Sequence, residues 1–187
     1  METNTDINST LYLIDTILNF TFLFACIVFV IYFRFDYKAL WKTKKFSSNE
    51  TLTSMSIAIL ISLICFFVFS YIISSIYSLE ISPDSRACLK YTVQSFLLLA
   101  YVYMHVKAHY LMNINMHSLS KLCCLFANIL ICIQIIRFID RLILETNVLS
   151  WAYRISVVGI NTLIVITMIG SLIYLMIATQ KLNRKEA

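Results

Sequence analysis

Long apolar segments separated by short polar connections dominate the chain. These segments cover residues 11–33, 51–79, 88–112, 121–144 and 150–179. A helix needs roughly 20 apolar residues to cross about 30 Å of hydrocarbon, and it satisfies its backbone hydrogen bonds without water. A membrane β-barrel would instead show short strands of alternating polarity. The pattern therefore predicts one all-α integral membrane domain, a bundle of five transmembrane helices.

The composition supports a membrane location. The 187 residues are 60% hydrophobic and 13% charged, with a mean hydropathy of +0.81, whereas soluble domains carry about 25% charged residues. These values exclude a water-soluble domain, a disordered chain and a nucleic-acid-binding protein. We expect a multi-pass protein of the plasma membrane or an endomembrane. Its expected partners are the lipid bilayer and other proteins or further copies of itself, with no nucleic acid.

Basic residues indicate the orientation of the helices. Residues 34–45 contain five lysines and arginines, whereas residues 1–10 contain none. Because cytoplasmic loops retain lysine and arginine, this asymmetry predicts an outer N-terminus and a cytosolic C-terminus. The sequon Asn8-Ser9-Thr10 then lies outside, which makes Asn8 a candidate for glycosylation.

Cysteine and glycine positions add two expectations. Cys123 and Cys124 follow Lys121 at the predicted cytosolic end of the fourth helix, where reversible lipidation by palmitate is common. Gly159 and Gly170 share a face of the fifth helix and predict a close helix-packing seam. The chain has only two glycines and one proline, which disfavours the broken helices of many transporters.

Polar and ionisable residues inside the predicted helices gather in their outer half. An ionisable side chain at membrane depth costs several kcal/mol unless it is paired or hydrated, so such residues are candidates for a functional site. We expect the helices to bring them to one outward-open pocket, as a ligand-binding or buried polar cluster. The candidates are Asp15, Asn19, Gln94, Gln134, Arg137, Asp140 and Asn161.

Arg137 has two potential counter-ions. Asp140 follows it by three residues on the same helix, and Asp15 lies on the first helix. Pairing with Asp15 would neutralise the pocket, whereas an unpaired guanidinium would face an anionic or carbonyl ligand. We expect Arg137, Asp15 and Gln134 to be buried. The residues favoured for the level of the lipid headgroups are Lys90, Asp140, Arg141 and Arg154.

Three histidines cluster near the predicted inner end. His105 and His109 are one helical turn apart and His117 follows, so they are weak candidates for a zinc site. Haem and di-iron sites need more histidines or histidines on facing helices, and we expect no metal and no cofactor. The favoured interpretation is a juxtamembrane cluster that gains positive charge at low pH. The acids of the outer half cannot reach these histidines to form a triad, so we expect no enzymatic activity.

The predicted topology is similar to that of the first five helices of a seven-helix receptor, although no receptor motif is present. It suggests a non-enzymatic, receptor-like bundle with a polar pocket in the outer half of the membrane. Two alternatives stay open. One is a structural or accessory subunit of a larger membrane complex, and the other is a small-solute carrier or oligomeric pore.

Overall fold

The computed structural model describes residues 2–34 and 50–184, except for some side chains along residues 2–34, among them those of Asn8 and Asp15, and some near residue 184. Within these ranges the chain is mostly helical and forms no strand. The α-helices are α1 (Glu2–Arg34), α2 (Glu50–Tyr77), α3 (Pro83–Leu111), α4 (Ser118–Phe138) and α5 (Ser150–Arg184), and a π-helical turn, Ile139–Ile143, continues α4. The predicted all-α fold class is confirmed.

Helix length and hydropathy support a multi-pass membrane protein. Within the described ranges, four helical segments are long and apolar enough to cross a membrane: Glu50–Tyr77, Pro83–Leu111, Ser118–Ile143 and Ser150–Ala178. Helix α1 contributes a shorter apolar stretch, Thr16–Phe29. The fifth span and the orientation of the termini therefore remain predictions.

Helix α3 packs against α2 and α4, while α5 packs against α1, α2 and α4. One hydrophobic core joins all five helices and includes Phe22, Ala58, Tyr101, Ala127 and Leu175. Short connections make sequential helices from α2 onwards antiparallel neighbours. Residues 112–117 connect helices at the predicted inner end, and residues 78–82 and 144–149 connect them at the predicted outer end.

Local signals explain where α3 begins and α2 ends. The Ser82 hydroxyl accepts a hydrogen bond from the backbone N–H of Ser85 (3.2 Å) and caps α3, and Pro83 occupies the first turn, where its missing N–H costs nothing. The Arg86 guanidinium donates to the carbonyl of Leu79 at 2.8 Å. These contacts fix the tight connection between the two helices.

The expected glycine seam on α5 is absent from the described chain. Gly159 and Gly170 are both exposed, and a Cβ built at either position meets no atom within 4 Å. The prediction of a close intramolecular packing seam was therefore wrong, because helical spacing shows which residues share a face but not what that face contacts.

Candidate functional site

At the predicted outer end, Arg137 and Asp140 form a buried ion pair, with side chains 6% and 4% exposed. The guanidinium also donates to the side-chain oxygen of Asn147, in the connection to α5. These contacts are charge-assisted, which makes them stronger than neutral hydrogen bonds. Arg137 is thus buried, as expected, and its charge is neutralised by a residue of its own helix.

Asp140 anchors the connection that follows the π-helical turn. The Thr146 hydroxyl donates to the Asp140 carboxylate, and the Thr146 backbone N–H donates to the Asp140 carbonyl at 2.9 Å. Glu145, between them, has a φ of 52°, so the chain turns back over the helix end. We call Arg137, Asp140, Thr146 and Asn147 the outer cluster.

Two expectations about this cluster change. Asp140 is buried, because residues 144–149 fold over it and supply its partners, and its level relative to the lipid headgroups remains a prediction. The counter-ion of Arg137 is Asp140, whereas the side chain of Asp15 lies outside the described part of the structure. The same holds for Asn8, so its glycosylation remains a prediction.

Gln134 joins three helices beside this cluster. Its side chain is buried, as expected, and its Oε1 accepts a hydrogen bond from the Tyr153 hydroxyl of α5 at 3.0 Å. The Tyr153 ring meets the Tyr91 ring of α3 edge to face, with centroids 6.0 Å apart. The amide of Gln134 is therefore held in one orientation by an aromatic pair.

A cavity of about 240 Å³ lies between α3 and α4 at Gln134. Its lining consists of Tyr91, Thr92, Ser95, Phe96, Leu99, Gln134, Ile135 and Phe138. We call it the α3–α4 cavity. Most of its wall is apolar, and the side chain of Gln134 contributes a buried amide. A mainly apolar lining with a few polar groups is the usual pattern of a small-molecule site.

The other outer-half candidates lie elsewhere. Asn19 and Asn161 line a second cavity, of about 130 Å³, together with residues of α1, α2 and α5. The Gln94 side-chain oxygen is buried without a hydrogen-bond partner. The described side chains thus divide between separate cavities and do not form the single five-helix pocket that we expected. Sequence gives the depth of each residue in the membrane but not the direction in which its side chain points.

At the predicted inner end, His109 is the centre of a buried hydrogen-bond network. Its Nδ1 lies 2.7 Å from the carbonyl of His105, and its Nε2 lies 2.7 Å from the Ser54 hydroxyl and 3.2 Å from the Ser120 hydroxyl. Because a carbonyl only accepts, Nδ1 carries the proton and Nε2 accepts from a serine. We call Ser54, His109 and Ser120 the inner network.

The inner network connects α2, α3 and α4. Ser54 also accepts from the backbone N–H of His117 at 2.9 Å, and the Ser120 hydroxyl donates to the Ser54 carbonyl at 3.3 Å. All three of its side chains are at most 2% exposed. His109 is therefore buried between helices, which the interpretation as a juxtamembrane cluster did not include.

His105 is also buried, one turn further along α3. Its Nδ1 lies 3.1 Å from the carbonyl of Tyr101, its ring contacts the Tyr101 ring with centroids 4.3 Å apart, and its Nε2 has no partner. In the part of the chain that the structure covers, no group of three or more His, Cys, Asp or Glu residues could hold a metal ion. His105, His109 and His117 therefore do not form the weak zinc site considered above.

The Ser54–His109 contact has the geometry of a nucleophile and its base, but Ser54 is fully buried, with 0% exposure. The cavity beside His109 is lined by Tyr110, Asn113, Ile114 and Asn115 and does not include Ser54. The arrangement therefore satisfies buried polar groups between helices and offers a substrate no access to the serine.

The two candidates for lipidation differ in accessibility. Cys123 belongs to the hydrophobic core and is 3% exposed, so its thiol is closed to an acyltransferase in this conformation. Cys124 is half-buried on the neighbouring face of α4. Lipidation remains a prediction for Cys124 alone.

Sequence reasoning missed several residues of these sites. Thr146 and Asn147 come shortly after the end of a helix. Threonine and asparagine side chains in such positions typically bond to the backbone of turns and helix ends, so the sequence offered a way to recognise these two residues. Ser54 and Tyr153 had none, because serine and tyrosine recur throughout α2 and α5 and only the packing of the helices selects these two.

Comparisons of the chain with protein-family models, with curated proteins and with solved structures found no match.

Proposed function

We propose that the chain is a non-enzymatic, receptor-like helical bundle that binds a small ligand in the α3–α4 cavity, in the predicted outer half of the membrane. The observation that carries this proposal is the orientation of Gln134 by Tyr153 beside a largely apolar cavity. A fixed polar group in an apolar cavity gives a ligand both burial and a defined orientation.

The position of Gln134 connects such a ligand to several helices. The Gln134–Tyr153–Tyr91 contacts join α4, α5 and α3, and Arg137, one turn further along α4, holds the connection to α5 through Asn147. A ligand that shifts Gln134 would therefore change the packing of α5 against α4. Transmission of a binding event through such a shift is what a receptor requires.

A carrier or pore has less support. The polar side chains of Gln94 and Tyr101 are seven residues apart on α3, about 10 Å at 1.5 Å per residue, and Leu97 and Leu98 lie between them. A continuous polar path across the bundle would need water over that distance.

An accessory subunit is the second candidate, and one feature of α1 favours it. Helix α1 exposes an apolar stripe at helical spacing: Leu13, Ile17, Phe20, Phe24, Ile27 and Ile31. Lipid can cover this stripe, and so can a helix of another protein.

Gentle detergent extraction of the tagged protein, followed by native mass determination, separates the two candidates. The receptor-like bundle should appear as a monomer or homodimer, and a neutral small molecule from a screen should raise its melting temperature. That increase should disappear in Gln134→Leu and persist in Asn128→Leu, which removes an exposed amide from the same helix. Stoichiometric protein partners, together with no stabilising compound, would favour the subunit.

A further inference from the structure

We infer that the α3–α4 cavity takes an uncharged membrane lipid with a hydroxyl headgroup, which enters sideways from the bilayer. This inference rests on the proposed function, because it names the class of ligand for the same site. Its support comes from the opening, the volume, the charge and the hydrogen-bonding groups of the cavity.

The mouth of the cavity lies on the lipid-facing surface of the bundle. Phe96, Leu99 and Ile135 line it and are 68%, 50% and 48% exposed, whereas Gln134 and Tyr91 are buried. The cavity is thus apolar and open where hydrocarbon surrounds the helices, and polar at its inner wall. A ligand already dissolved in the membrane reaches Gln134 without crossing the bundle.

The volume indicates that only part of the ligand is enclosed. At about 240 Å³, the cavity is smaller than the roughly 300–1,000 Å³ of most small-molecule pockets. It has room for a headgroup and the first carbons of a chain. The remainder of a lipid would lie along Phe96 and Leu99 in the bilayer.

The lining excludes a charged headgroup. It consists of Tyr, Thr, Ser, Phe, Leu, Gln and Ile side chains and contains no acid or base. The charged residues nearest to the lining in the sequence are Lys90 and Arg137. The Lys90 Nζ donates to the Tyr77 hydroxyl of α2 at 2.6 Å, and Arg137 pairs with Asp140. An ammonium or sulfate in the cavity would therefore be buried without a counter-ion, which is strongly unfavourable.

A hydroxyl fits two of the polar side chains that line the cavity, Gln134 and Ser95. The Oε1 of Gln134 is occupied by Tyr153, so the amide nitrogen is the side that can donate to a ligand. The Ser95 hydroxyl donates to the Tyr91 carbonyl at 2.9 Å and keeps its oxygen as an acceptor. A ligand hydroxyl can accept from the Gln134 amide nitrogen and donate to the Ser95 oxygen. An ether or a carbonyl can only accept, so neither can make both hydrogen bonds.

Photolabelling in vesicles tests this inference. The full chain is reconstituted in phosphatidylcholine vesicles with one of three probes that share a diazirine-bearing alkyl chain: a primary alcohol, an alkyl sulfate and the plain alkane. We expect the alcohol to label peptides covering residues 91–99 and 134–138 about three- to tenfold more than either other probe, the factor associated with one neutral hydrogen bond.

Two matched pairs of variants locate the labelling. Gln134→Leu should reduce alcohol labelling to the alkane level, whereas Asn128→Leu should not change it. Ile135→Trp places a large ring at the mouth of the cavity and leaves the Gln134–Tyr153 bond untouched. It should abolish labelling while the melting temperature stays the same, and Ile129→Trp, at an exposed position of the same helix outside the cavity lining, should have neither effect.

Equal labelling by the three probes, preferred labelling by the sulfate, or alcohol labelling that survives Ile135→Trp would each overturn the inference. If a water-soluble neutral compound still stabilised the wild type and not Gln134→Leu, the proposed function would stand without the lipid. If neither the labelling by the alcohol nor the stabilisation by any water-soluble compound depended on Gln134, both the lipid inference and the proposed function would be overturned.

Discussion

The two ends of the bundle bury polar groups in different ways. At the predicted inner end, the inner network consists of neutral groups that lie far apart in the sequence: Ser54 is 55 residues from His109 and 66 from Ser120. At the predicted outer end, the outer cluster contains full charges, and its partners lie within 10 residues of one another. The inner network therefore holds three helices together, whereas the outer cluster closes one helix end and its connection.

The comparison shows that the distance in sequence between two partners does not determine how much stability is lost when one of them is removed. Loss of one partner from a buried ion pair costs about 3–5 kcal/mol, because a charge is left unpaired. Loss of one partner from a neutral network costs about 1–3 kcal/mol. The local cluster should therefore be the more sensitive of the two, even though it connects fewer parts of the fold.

The largest effect is expected for Arg137→Leu, which leaves the Asp140 carboxylate buried without its counter-ion. We expect the free energy of unfolding, measured by SDS titration in mixed micelles, to fall by about 3–5 kcal/mol. The double variant Arg137→Leu/Asp140→Asn should recover more than half of that loss, since the asparagine is neutral and still accepts from Thr146. A single variant as stable as the wild type would show that the pair is not buried in the membrane.

The next effect tests the inner network. His109→Phe removes the acceptor of the Ser54 hydroxyl, and we expect it to lower the free energy of unfolding by about 1–3 kcal/mol. His105→Phe is the matched control, because His105 is equally buried but its Nε2 has no partner. Equal losses in the two variants would mean that ring packing, and not hydrogen bonding, stabilises this end.

A smaller effect is expected for Tyr153→Phe, which removes the hydroxyl that orients Gln134 and keeps the ring contact with Tyr91. The free energy of unfolding should fall by about 0.5–1.5 kcal/mol. Any ligand that stabilises the wild type should stabilise this variant less, because the Gln134 amide is no longer fixed. The same titration with and without ligand measures both quantities, and an unchanged ligand effect would separate Tyr153 from the binding site.

The smallest effect is expected at the surface of the outer end. Arg141 and Asp84 approach to 3.7 Å, but their side chains are 34% and 80% exposed, and exposed ion pairs contribute only about 0.2–1 kcal/mol. We expect the loss of free energy of unfolding in Arg141→Gln to lie at the lower end of this range and to become smaller as salt is added. A loss as large as that of Arg137→Leu would mean that the two arginines have been assigned to the wrong environments.

The helices themselves could be predicted from the sequence, because membrane thickness fixes the length of an apolar segment. The predicted spans 51–79 and 121–144 lie close to Glu50–Tyr77 and Ser118–Ile143. The functional sites could be predicted only in part. Arg137 and Gln134 were recognised because polar groups at membrane depth are conspicuous, whereas the partner of Gln134, Tyr153, depends on how α5 is rotated about its axis.

The same limit explains why the burial of Asp140 and His109 could not be predicted from the sequence. Asp140 was placed near the headgroups because it lies close to the end of a helix, and nothing in its own position shows that Thr146 returns to bond with it. The burial of His109 could not be predicted for a similar reason. Its spacing from His105 identifies a shared face, but Ser54 and Ser120, which bury it, come from two other helices.

The inner network also constrains the order in which the protein can be assembled during synthesis. Ser54 leaves the ribosome long before either of its side-chain partners, so its hydroxyl must first bond within its own helix, as serines in isolated membrane helices do. His109 becomes available only when the third helix has been made, and Ser120 only with the first turn of the fourth. A nascent chain whose third helix inserts upside down would carry His109 to the opposite face of the membrane. Closure of this network would therefore distinguish correctly inserted chains from inverted ones before the last helix is complete.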